Sequence, residues 1–70
     1  MTSPNVLLVS LDEQIAHMNR EIAYRLRTNP ARVAAGKVSQ RQADRSLDVL
    51  RAILATLQAA KVAQEAKSAT

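Results

Sequence analysis

The chain has no cysteine, which excludes disulfide staples and thiolate metal sites and fits a reducing compartment. It has no Phe or Trp and a single Tyr, Tyr24, so no cluster of aromatic rings is present to stack nucleobases or anchor a core. Its one histidine, His17, rules out a histidine cluster for a metal. Long apolar runs are also missing. The longest aliphatic stretch, Val6-Leu7-Leu8-Val9, falls far short of the roughly 20 residues that span a bilayer. It follows no basic segment and precedes Asp12 and Glu13, which makes it a poor signal peptide, and the expected location is the cytoplasm.

At 70 residues the chain makes at most one domain, expected to span 1–70. A domain of this size buries only about 60% of its unfolded surface and is marginal alone. Disulfides, metals and aromatic packing are all missing, so oligomerisation is the remaining source of stability. Acids are the scarcer charge: six against ten Lys and Arg, a formal net charge of +4. That balance allows nucleic acid or an acidic protein surface as partner without choosing between them.

Glycine occurs once, and one of the two prolines lies near it, in the stretch from Asn29 to Ser39. Pro30 has no N–H and pushes Asn29 out of the α region, so a helix arriving from the N-terminal side is predicted to end there. Asn29 and Pro30 can alternatively cap and open a single helical turn. Gly36 suits a helix C-terminus with positive φ. Ser39, with Gln42 three positions on, forms a capping box for a new helix.

On either side of these breaks the apolar residues follow the helical period. Ser10-Leu11-Asp12-Glu13 is a second capping box with acids in the first turn, and opens a helix predicted over 10–27. Leu11, Ile15, Met18 and Ile22, extended by Leu26, fall within about an 80° arc, one narrow seam. Before this helix, Val6–Val9 is either a helical extension or a short extended arm, with the capping box favouring an arm. The turn is placed at 28–38 and a second helix at 39–64, beyond which the Ala/Gln/Glu/Lys-rich tail is expected to fray. The second helix carries Ala43, Leu47, Leu50, Leu54 and Leu57, then widens to Val49, Ile53 and Ala60. That arc, about 160°, exceeds what one antiparallel neighbour covers, so part of it is expected to meet another chain. The fold class is therefore all-α: a hairpin of two long helices forming a homodimeric helical bundle. The expected dimer interface is Leu11, Ile15, Met18, Ile22, Val49, Ile53, Leu57 and Ala60.

The outer face of the first helix carries Glu13, His17, Arg20, Tyr24 and Arg27, about 180° from the seam. Tyr and Arg are the types enriched where interfaces concentrate their energy. His17, Arg20, Tyr24 and Arg27, with Arg32, are the candidate partner-binding residues. On the second helix, Asp48 can pair with Arg45 and Arg51 at three-residue spacing. Arg20, Arg25, Arg27, Arg32, Lys37, Arg41, Arg45 and Arg51 cluster toward the turn, giving the hairpin a basic tip. No nucleophile has a neighbouring base, no glycine-rich phosphate loop is present, and Asp44 and Asp48 are surrounded by arginines. The expectation is a protein that is not an enzyme and takes no cofactor or metal.

Pro30, Val33-Ala34-Ala35-Gly36-Lys37, Ser39-Gln40 and Ala43-Asp44-Arg45 resemble a pattern found in small proteins of temperate bacteriophages. Many such proteins have Tyr before the Pro and Trp before the Val, where this chain has Asn29 and Arg32. In size and helical-hairpin design the chain also resembles the phage quorum-sensing anti-activator family. That resemblance implies a small dimer that binds a LuxR-type transcriptional activator of the bacterial host, keeps it from DNA, and can also block the pilus-assembly ATPase. Two other functions fit the residues: a nucleic-acid-binding dimer using the basic tip, and a phage assembly module.

Overall fold

The computed structural model describes residues 9–68, which form two α-helices and no strand. Helix α1 is Leu11–Ala34, 24 residues, and helix α2 is Gln40–Ser68, 29 residues. The segment Val6–Leu8 lies outside the described residues; Val9 precedes α1 in non-helical conformation.

Both capping signals act at helix starts. Ser10 Oγ accepts the Glu13 N–H at 3.1 Å and its backbone is extended, as an N-cap requires. At α2 the box is reciprocal: Ser39 Oγ accepts from the Gln42 N–H and Gln42 Oε1 accepts from the Ser39 N–H, both at 3.0 Å.

Helix α1 does not end before Pro30, as the sequence predicts; it runs through the proline to Ala34. An interior proline removes one backbone donor and costs about 3 kcal/mol. Two side chains beyond the expected stop are nevertheless covered by α2, and the apolar one, Val33, offsets part of this. Asn29, one heptad after Ile22, is 7% exposed, and Val33, a turn further, is half-buried. Pro30 itself lies on the exposed side. In the turn before it, Thr28 Oγ1 donates to the Tyr24 carbonyl at 2.9 Å.

The helix ends instead at Gly36, whose φ is +73°. The Gly36 N–H donates to the Val33 carbonyl and the Lys37 N–H to the Arg32 carbonyl, both at 3.0 Å. That pair of bonds is a Schellman motif with Gly36 at its left-handed position. The connection is thus residues 35–39 rather than 28–38. Nor does α2 fray at Gln64: it continues to Ser68, whose Oγ donates to the Gln64 carbonyl at 3.0 Å. The tail is made of good helix formers, and Lys61 anchors it to the first turn of α1, its Nζ 2.6 Å from Asp12 Oδ1. This contact closes the open end of an antiparallel hairpin. The hydrogen bond to Asp12, and then the charge of that carboxylate, raise the Lys61 pKa above the ordinary 10.5.

With only two helices described, what covers α1 is α2. Leu11, Ile15, Met18 and Ile22 are half-buried, as are Leu50, Leu54 and Leu57, while Ala43 and Leu47 are buried. Leu26, expected to extend the seam, is 49% exposed, because α2 covers Arg25, Asn29 and Val33 at that level instead. No described side chain is fully buried.

Candidate functional site: a Tyr/Arg face and an apolar groove

Two surfaces of the hairpin are left uncovered by its own packing. The first is the outer side of α1. Tyr24 is 50% exposed there, and the Arg27 guanidinium carbon lies 5.8 Å from its ring centroid. The residues are three apart, one helical turn, so the helix itself sets this cation–π contact. The ring is thereby braced by its neighbour while half of the residue remains exposed. Arg20 and His17 continue the exposed surface along the same side.

Of the five candidate partner-binding residues, the structure brings His17, Arg20, Tyr24 and Arg27 together. Arg32 does not join them. Continuation of α1 through Pro30 places it about 100° from the centre of that face, and it lines a small cavity near the turn instead.

The second surface is a groove along one side of the hairpin. A hollow of about 580 Å³ lies between His17, Met18 and Arg20 of α1 and Ile53 and Leu57 of α2. A second, of about 710 Å³, lies toward the turn and is walled by Val49, Leu50, Arg25 and Arg45. Val49 is 44% and Ile53 42% exposed, and Ala60 is exposed on the same stripe. These are the α2 residues expected to remain uncovered by α1. The seam residues expected beside them in a dimer interface, Leu11, Ile15, Met18 and Ile22, already face α2, and only their edges are left for another chain.

Between the two hollows, Arg25 Nε donates to Glu21 Oε1 at 3.0 Å. The ion pairs expected between Asp48 and Arg45 or Arg51 do not form among the described residues; both arginines are exposed. On the same helix Gln40 Nε2 donates to Asp44 Oδ1 at 2.9 Å.

The sequence marked Asn29 only as a helix-ending or capping residue, not as a buried one inside a continuous helix, and did not single out the Lys61–Asp12 clasp. The signal for Asn29 was its place in the heptad after Ile22, hidden by the proline that follows. For Lys61 the signal was a basic residue on the inward line of α2, four residues after Leu57, at the height of an acid on α1.

Comparison with known proteins adds no relative. Neither protein-family models, nor curated proteins, nor solved structures match the chain. Among the described residues no helix is long and apolar enough to cross a membrane, and no group of three or more His, Cys, Asp or Glu is placed to hold a metal ion.

Proposed function

We propose that this chain is a binding protein: two copies associate through their grooves, and the outer faces of their first helices engage a protein of the bacterial host. The observation that carries this reading is Tyr24. It is a large side chain, half exposed and braced by Arg27, on the side of α1 turned away from α2. A tyrosine so placed presents a stiff amphipathic surface, and Arg27 beside it, with Arg20 at the rim this face shares with the groove, can pair with acidic groups on a partner.

Self-association is supported by area. The chain exposes 5565 Å², about 1,300 Å² more than the roughly 4,300 Å² expected of a compact chain of 7.6 kDa. A standard interface needs about 800 Å² from each partner. The apolar stripe of Val49, Ile53 and Leu57 is the surface for it.

The resemblance to phage anti-activators makes the host partner a LuxR-type transcriptional activator, blocked from DNA, with the pilus-assembly ATPase as a further target. A gel-shift assay tests this. Added protein should release a LuxR-type activator from its promoter DNA in a saturable way, without itself shifting the DNA. Release that fails at every concentration removes this partner from the proposal.

One observation favours a second reading, nucleic-acid binding at the turn. Arg25, Lys37, Arg41 and Arg45 line one hollow there. That reading requires a steep fall of log affinity with log salt on duplex DNA or RNA.

A further inference from the structure

Asn29 is the one buried polar side chain among the described residues, and its Nδ2 has no hydrogen-bond partner. Leaving a buried donor unsatisfied is costly, so such an atom points to something that completes it. The residue Asn29 is among those lining a cavity of about 90 Å³ between the two helices beside the turn, with Arg25, Arg32, Gln42 and Ser46 around it. The neighbouring 710 Å³ hollow shares Arg25, Gln42 and Ser46 and adds Lys37, Arg41 and Arg45. Among the described residues no carboxylate lines either space. Glu21 is engaged from outside them by Arg25 Nε, which leaves the two terminal nitrogens of Arg25 to donate. Gln42 is committed in the same sense. Its Oε1 accepts from the Ser39 N–H, so its amide nitrogen is the end left to donate.

The polar part of the lining is rich in donors and holds no carboxylate: Asn29, two guanidiniums, the Gln42 amide and the Ser46 hydroxyl, with Val38 and Ala43 completing the wall. Water can accept from Asn29 and donate to the Ser46 hydroxyl, but it brings no negative charge for the two guanidiniums. A group that brings only acceptors, on several sides and with negative charge, fits it well. From these contacts we infer that the cavity at the turn binds a phosphate group, with Asn29 donating at its floor and Arg25 and Arg32 pairing with its charge. The site is set by the Schellman turn and the capping box, which fix the helices that bear Arg32 and Gln42. It is separate from the Tyr24 face and does not depend on that face's partner.

The test is a side-chain amide NMR titration of the full chain with sodium phosphate, pyrophosphate and AMP, against sodium chloride at matched ionic strength. The Asn29 Nδ2 and Gln42 Nε2 resonances should shift saturably with the phosphates and stay in place with chloride. A shift with phosphate and pyrophosphate alone identifies free phosphate as the ligand. A shift with AMP as well identifies a phosphate monoester. Arg32→Gln, a change at an exposed side chain, should weaken binding about tenfold by removing one charge-assisted contact. Asn29→Asp should abolish it by placing a carboxylate at the floor; should that variant not fold, Arg32→Gln carries the test. No saturable shift, an equal shift with chloride, or unchanged affinity in Arg32→Gln would overturn the inference.

Discussion

Ile53→Asp separates the energy that holds one hairpin together from the energy that joins two. Ile53 is 42% exposed in the single hairpin. Full burial of an isoleucine is worth up to about 3 kcal/mol, so roughly 1 kcal/mol per copy is still to be gained at an interface. The aspartate loses that gain and adds a charge with no partner, a further cost of about 3–5 kcal/mol. The sum for a symmetric dimer exceeds about 5 kcal/mol, more than three orders of magnitude in dissociation constant. In the lone hairpin the aspartate keeps much of its hydration, and the cost there should stay near 1 kcal/mol. Sedimentation equilibrium reads the first effect and a dilute thermal melt the second. Wild type should sediment at twice the 7.6 kDa chain mass and the variant at the chain mass. A variant that stays at twice the chain mass with an unchanged melt refutes the groove as the interface. A wild type that sediments as a single chain at high micromolar concentration refutes the dimer.

Gly36→Val should destabilise by more than about 1 kcal/mol. Its φ is +73° and a β-carbon at this position would meet no atom within 4 Å, so the whole cost is backbone strain. Gly36→Ala should then lose a smaller but measurable part of that in the same chemical denaturation series. Ser39→Ala removes the hydroxyl that accepts the Gln42 N–H and should cost about 1 kcal/mol, a fall of about 4–8 °C in melting temperature. The Lys61–Asp12 clasp makes stability depend on alkaline pH. The folded pKa of Lys61 is raised, so its contribution is complete below 10.5 and fades as pH rises through the higher folded value. Melts between neutral pH and pH 11 should show a slope that Asp12→Asn removes.

Much of this fold was legible because local signals agree with one another. Both capping boxes, the positive φ at Gly36 and the seam from Leu11 to Ile22 follow from residue types at fixed spacing. The uncovered stripe of Val49 and Ile53 followed from an arc too wide for one neighbour. What failed was the stop at Pro30. Proline acts on the backbone of one residue, whereas Asn29 and Val33 are covered by a helix whose path the local sequence does not contain. The end of α2 was set too early because its Ala, Gln, Glu and Lys residues are good helix formers even where little packs on them. The outer face survived because it depends only on the helical period. Arg32 does not share that face because α1 runs unbroken through Pro30 and the helical period carries Arg32 toward the turn cavity.

The central claim is that Tyr24 serves binding and not folding, and the gel-shift competition of a LuxR-type activator against promoter DNA tests it most directly. Tyr24→Ala should need about 30-fold more protein than wild type to release the DNA, the equivalent of a hot spot worth about 2 kcal/mol. Its thermal melt should stay within about 0.5 kcal/mol of wild type, as for other exposed positions. Equal potency of Tyr24→Ala and wild type, or a loss of potency matched by a collapsed melt, would contradict the account.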